Sequence, residues 1–240
     1  MMRTTVGFAL LIALAIVPGV SSAAIIAGWD QNSNDLPSGG FGFTAASFPQ
    51  PNDHGPASAT HDIADFDTTT EGVDNKYATV ESFGGTTVND LEGAGAGGSF
   101  SFEGTVNNGA KSVFTVPTTG YSDIMVSWAQ RGTGTGYTSR VFEYSTNGGT
   151  SWTDIGPYAG SAGALGTTFL TVSLDLSSIS ALNNNPNAMF RITYDGASSA
   201  TGNNRWDNFY VQGIVIPEPA SIALLSLAGL AIVGLGRRRS

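Results

Sequence analysis

Hydrophobic and polar residues alternate with a period of two along much of the second half of the chain. In "TFLTVSLDL" (168–176), Leu170, Val172, Leu174 and Leu176 share one face, and Thr171, Ser173 and Asp175 share the other. "SDIMVSWAQ" (122–130) places Ile124, Val126 and Trp128 together, and "AMFRITYD" (188–195) does the same with Phe190, Ile192 and Tyr194. "SFSFEGTV" (99–106) sets Phe100 and Phe102 against Ser99, Ser101 and Glu103. This period, rich in β-branched and aromatic residues, predicts half-buried strands. One apolar and one polar face per strand predicts an all-β fold, an antiparallel β-sandwich of two stacked sheets.

Turn chemistry separates these runs. "TNGG" (146–149) lies between "RVFEYS" and "TSWTDI" and predicts a hairpin, because Asn-Gly accepts positive φ at low steric cost. "TTGY" precedes the strand at 122–130 and "RGTGTGY" (131–137) follows it. "LSSISALNNNPNA" (176–188) has room for one helical turn, stopped by Asn and Pro186. Residues 30–75 are rich in Gly, Pro, Asn and Asp with little periodicity, which predicts an irregular, loop-rich region or strands near the sandwich edge.

Both ends break the pattern. "MMRTTVGFALLIALAIVPGVSSAA" has one Arg, an apolar run from Val6 to Val17, a Pro-Gly break and a row of small residues. That layout predicts a secretory signal peptide over 1–23, cut near Ala23 or Ala24, and the apolar run is short for a membrane span. The alternative is an uncleaved N-terminal anchor. At the other end, "VIPEPASIALLSLAGLAIVGLGRRRS" (215–240) joins Pro-Glu-Pro to an uncharged apolar run and three arginines. A helix over 220–236 is about 25 Å long, short against a hydrocarbon core of about 30 Å. The basic tail 237–239 stays cytoplasmic. Residues 24–213 remain as one β-sandwich domain, a size that buries a core unaided.

Composition narrows the chemistry. The chain has no cysteine, which excludes disulfides, thiolate catalysis and cysteine-ligated metals. Four of ten basic residues (Arg3, Arg237, Arg238, Arg239) and one of nineteen acidic residues (Glu218) lie in the terminal segments. The body keeps six basic and eighteen acidic residues, a net charge of −12. Such a surface repels phosphate backbones, so no nucleic-acid partner is expected. "GAGAGG" (93–98) matches G-x-G-x-x-G in form, but a strand-like run follows it where a helix is needed, so it reads as a turn. Near Ser161 the chain reads "AGSAG", which is not a nucleophile elbow. His54 and His61, with Asp53, Asp62, Asp65 and Asp67, have no zinc spacing, and the acidic run does not follow an EF-hand. No catalytic residue stands out, and no enzymatic activity is expected, although a secreted polysaccharide hydrolase using acids in 53–74 is a rival.

"RWDNFYVQG" (205–213) carries the binding candidates. Asp207 shares parity with Phe209 and Val211, so a core-facing Phe209 turns Asp207 inward too. A buried carboxylate needs a cation or several donors. Asp207 is therefore a structural calcium ligand or a loop cap working through backbone amides. Trp206 and Tyr210 fall on the opposite face, where they stack on a sugar ring or lie under a loop.

Two resemblances follow from these residues. "GYSDIMVSWAQRGTGTGYTSRVFEYSTNGGTSWTDIG" and "LDLSSISALNNNPNAMFRITYDGASSATGNNRWDNFYVQG" resemble a β-sandwich domain of secreted and surface-sorted bacterial proteins, one that also accompanies some extracellular nucleases as a non-catalytic module. It implies a jelly-roll-like fold related to carbohydrate-binding sandwiches, with no catalytic residues. Residues 215–240 resemble the PEP-CTERM sorting signal of Gram-negative bacteria. That resemblance implies recognition of Pro217, Glu218 and Pro219 by exosortase, a membrane-embedded cysteine transpeptidase-like enzyme. It also implies an inner-membrane intermediate and a mature protein at the cell surface or in an exopolysaccharide matrix. The role expected is structural or adhesive, or that of a carbohydrate-binding module.

Overall fold

The computed structural model describes residues 23–31, 48–51, 56–62, 76–77 and 80–217. Two antiparallel sheets face each other. The first holds β1 (Ala23–Trp29), β4 (Lys76–Tyr77), β5 (Val80–Gly84), β6 (Gly98–Glu103), β8 (Tyr121–Gly132), β11 (Leu170–Asp175) and β13 (Asn203–Val215). Its order is β11-β8-β13-β6-β5-β4, with β1 also on β13. The second holds β2 (Phe48–Pro51), β3 (Ser58–Asp62), β7 (Lys111–Thr115), β9 (Ser139–Ser145), β10 (Thr153–Asp154) and β12 (Met189–Asp195), in the order β10-β9-β12-β7-β3-β2. The antiparallel sandwich is as the alternation predicts.

The core lies between the sheets and is aromatic. Phe114 of β7 stacks on Phe209 of β13, with ring centroids 3.8 Å apart and planes 5° apart. Trp128 of β8 stacks on Phe142 of β9 at 5.6 Å, and Phe102 of β6 meets Tyr194 of β12 edge-on at 4.5 Å. Each ring fully removed from water contributes roughly 1.5–3 kcal/mol. The inward sets predicted from the alternation are buried at Ile124, Val126, Trp128, Val172, Leu174, Leu176, Phe190, Ile192 and Tyr194, while Leu170 at the start of β11 is only partly buried. The expected helical turn is a 3-10 turn at Ser180–Leu182.

Of the two readings of 30–75, strands near the sandwich edge describe 48–51 and 58–62. β2 and β3 fall inside that segment and complete one side of the second sheet, Ser58 to Asp62 pairing with Thr115 to Lys111. Prolines at 49 and 51 hid that edge from a pattern search, and Pro is tolerated at such edges. The expected signal peptide and tail helix lie outside the described residues. Among the described residues no helix is long and apolar enough to cross a membrane. The two ends of the domain meet: Ala23 is paired with Ile214, and Ala24 with Gly213.

One buried cation organises a corner. Arg140 shares the inward parity of Phe142 and is 1% exposed. Its Nε donates to the Gly160 carbonyl at 2.6 Å, Nη2 to Gly163 at 2.7 Å and Nη1 to Tyr137. Burial holds its pKa below the usual guanidinium value. The Gly160 and Gly163 carbonyls belong to the loop after β10 and Tyr137 to the β8–β9 loop, so one guanidinium ties both loops to the sandwich.

Candidate functional site

Strand β13 carries a β-bulge that the sequence parity does not anticipate. Its register against β8 shifts between Asp207 and Tyr210, and Asn208 takes a left-handed φ of 50°. The extra residue lets Trp206 and Phe209 both face the core, where each meets Phe114. Asp207 therefore points away from the space between the sheets, not into it. It is buried all the same, at 0% exposure, by the loop that joins β5 to β6. Trp206 and Tyr210 are 2% and 0% exposed, so the reading that offers their rings to a surface sugar is corrected.

The loop over Asp207 is tightly built. Thr86 N–H donates to Asp207 Oδ2 at 2.8 Å, and Asn208 N–H donates to Oδ1 at 2.8 Å. Asn208 Nδ2 returns hydrogen bonds to the Thr86 and Val88 carbonyls at 2.7 and 2.9 Å. Asn89 reaches across to Ser127 Oγ and the Asn208 carbonyl. The glycine-rich run 93–98 belongs to the same loop and wraps a carboxylate of its own chain. Asp90 accepts N–H groups from Glu92, Gly93, Ala94 and Gly95 at 2.8–3.2 Å. These amides, led by that of Gly95, hold the Asp90 carboxyl below its ordinary pKa. A loop of that form suits phosphate; here an internal anion fills it.

The Asp207 carboxylate stands among oxygens. A methyl group placed on Gly85 would overlap the carbonyls of Gly98 and Ala96 and Asp207 Oδ2 together, so three oxygens converge beside that glycine. Asn208 Oδ1 is buried with no hydrogen-bond partner among the described residues. Desolvation pushes the Asp207 pKa up to about 8, against the two amides, with the charges of Asp30 and Asp90 adding to the rise. The carboxylate receives two backbone amides, as a loop cap does, and lies beside the carbonyl oxygens of Ala96 and Gly98. Calcium takes six to eight oxygens, carbonyls included, so the donor set fits a hard cation. No three His, Asp or Glu side chains gather round one point among the described residues, so carbonyls would supply much of the coordination.

A different surface lies on the outer face of the second sheet. Three of the four tryptophans are buried, but Trp152 is half-exposed. The hairpin before it is rigid: Asn147 Oδ1 accepts from Ser151 N–H at 3.0 Å, and Ser145 Oγ accepts from Gly149 N–H at 2.9 Å. Gly148 and Gly149 supply the positive φ of 67° and 82° that the turn requires. The Arg191 guanidinium lies 4.3 Å from the Trp152 ring centroid. Glu143 holds it there through two bonds, Nε to Oε2 at 2.5 Å and Nη2 to Oε1 at 2.8 Å. Thr193, Val113 and Lys111 extend the same face. An oriented indole beside a fixed charge pair offers a flat apolar surface with hydrogen-bonding groups at its edge.

The other sequence candidates are spread out. Pro217 is exposed just past β13; Glu218 and Pro219 lie outside the described residues. His54, Asp53, Asp65 and Asp67 also lie outside them, and only the backbone of His61 and Asp62 is placed, on β3.

No family model matches the chain, and no curated protein does. Among solved structures it is similar to the xylan-binding CBM22-1 domain of Paenibacillus barcinonensis Xyn10C, at 8% identity and a TM-score of 0.44, over 83% of this chain and 100% of that one. It is also similar to TmCBM61 in complex with β-1,4-galactotriose, at 9% identity and a TM-score of 0.37, over 65% and 87%. The K2 cleaved adhesin domain of Lys-gingipain overlaps at 11% identity and a TM-score of 0.40, over 65% and 90%. Overlaps this loose carry no weight for what the chain binds.

Proposed function

We propose that the protein is exported and binds a polysaccharide through the outer face of its second sheet, at the cell surface or in an extracellular matrix. The observation that supports this is Trp152, held half-exposed by Arg191 and Glu143 on a rigid hairpin. An indole kept partly in water costs free energy that a stacked sugar ring recovers. A net charge of −12 over residues 24–213 suits a soluble exported domain. The terminal segments suggest the route: a signal peptide exports the body, and exosortase recognises Pro217, Glu218 and Pro219 and removes the tail after a transient stay in the inner membrane. Calcium bound beside Asp207 staples the β5–β6 loop to the bulge of β13 and is structural, not catalytic.

A glycan array probed with the full-length chain, with and without calcium, tests the binding claim. Binding to at least one polysaccharide is expected, weakened tenfold or more by Trp152→Ala. An array without a hit, or a hit that ignores the substitution, overturns the assignment. The route is tested separately by Glu218→Ala, which should leave the uncut form in the inner membrane; normal processing of that variant overturns it.

A further inference from the structure

Each outer face of the sandwich sets an arginine against an aromatic ring. On the second sheet, Arg191 lies over Trp152 and is neutralised by Glu143 through two hydrogen bonds. On the first sheet, Gln130 is buried beside Trp128, so its neighbour Arg131 faces outward. The Arg131 guanidinium lies 5.5 Å from the Phe169 ring centroid. No carboxylate completes this pair. Among the described residues Arg131 makes no hydrogen bond or ion pair, and its Nε is buried without a partner. The register sets Arg205 of β13 directly opposite Arg131. Residues opposed in this way stand about 5 Å apart at Cβ, where like charges destabilise a sheet. The acids along this row are engaged or distant. Asp207, two residues along β13, accepts the Thr86 and Asn208 amides. Glu103 of β6 and Glu81 of β5 lie beyond Arg205, two and three strands from Arg131, at least about 10 Å away at the backbone. Phe169 precedes β11 and so stands on the other side of Arg131 from them.

We infer that Arg131 and Phe169 form a second glycan subsite, selective for a sugar that bears a carboxylate. The inference rests on the polysaccharide reading above and adds a class of sugar. At Arg191 the protein supplies the carboxylate itself; at Arg131 the ligand supplies it. A uronate carboxylate is planar and meets a guanidinium fork through two parallel hydrogen bonds. The half-exposed Phe169 ring offers an apolar surface beside it to the C–H face of the pyranose. Arg205 adds a second positive charge next to Arg131. A body of net charge −12 repels a densely charged polyanion, so the chain that fits carries isolated uronates among neutral sugars. The Trp152 and Phe169 sites face away from each other, so a glycan held on one side leaves the other free.

Titration of the full-length chain with an oligosaccharide bearing one uronate, and with its carboxyl-reduced neutral counterpart, tests this. The uronate form should bind at least about tenfold more tightly, as hydrogen bonds between charged groups imply. Arg131→Gln should reduce that preference to twofold or less. Arg131→Lys, which keeps the charge and loses the planar fork, should at least halve it. Trp152→Ala should weaken the neutral oligomer and leave the uronate-dependent binding in place. Equal affinity for the two forms, or a preference that survives Arg131→Gln, overturns the subsite while leaving the polysaccharide reading standing. A preference lost in Trp152→Ala also overturns it, because the carboxylate would then be read on the other face. Inorganic phosphate that displaces the uronate form at equal concentration, or dextran sulfate that binds more tightly than it, overturns the carboxylate assignment. No binding to any glycan overturns the polysaccharide reading itself.

Discussion

Arg140 and Asp207 are both buried charges, and their surroundings are of opposite completeness. Arg140 donates to three backbone carbonyls. Its neighbourhood needs no further ion. Asp207 receives two amides but stands among the carbonyls of Ala96 and Gly98, with Asp30 and Asp90 adding to the negative field. The first is a finished piece of structure. The second sets a carboxylate beside carbonyl oxygens, and burial raises its pKa to about 8, so its charge depends on pH. Burial alone does not separate the two cases; the sign of the surrounding dipoles does.

The largest break in this comparison is Arg140→Met. It fills the space but removes three hydrogen bonds from a charged donor, leaving Gly160 and Tyr137 with the weaker donors Gln130 Nε2 and Asn204 Nδ2. At about 1.5–3 kcal/mol for each bond to a charged group, a loss of about 4 kcal/mol is expected in chemical denaturation, at any calcium concentration. Calcium sharpens the other side. At a hundredfold excess over its dissociation constant it should add about 2.7 kcal/mol to the wild type, read as a rise in Tm, and nothing to Asp207→Asn. Gly85→Ala follows, because its methyl group lands on the converging oxygens; a loss of about 2 kcal/mol with no calcium response left is expected, whereas a tolerated substitution would speak against a crowded cradle. The smallest change per step is in pH. Without calcium the folded Asp207 keeps a proton between about pH 4 and its raised pKa of about 8, while the unfolded chain has lost it. The folded state binds more protons there, so stability falls as pH rises, by at most about 1.4 kcal/mol per unit. With calcium bound the carboxylate is ionised throughout, and that decline should vanish. A decline that calcium leaves unchanged would assign the site to the proton.

Much of the sandwich is legible in the sequence because burial on one face forces a period of two. β8, β11 and β12 show it in their inward residues, with only Leu170 at the start of β11 partly buried. Arg140 was also readable, since it shares parity with Phe142 inside "SRVFEYS". Residues 205–213 misled for a physical reason: one left-handed Asn208 adds a residue to the strand and reverses the face of everything before it. Asn beside Asp is a known host for that conformation, but a parity count has no place for it. The oxygens of Ala96 and Gly98 belong to the backbone, so no residue type announces them. Trp152 follows a strong turn signal, yet its half-exposure depends on Arg191, 39 positions away.

The pairing of Ala23 with Ile214 also has a mechanical side. Tension applied between the two ends of the domain falls on the first hydrogen bonds of an antiparallel pair and opens them one after another, like a zipper. The same pair sheared along its length would share the load across every bond. A chain held by both ends is therefore mechanically weak at its seam, and cutting either tether takes that seam out of the path of force.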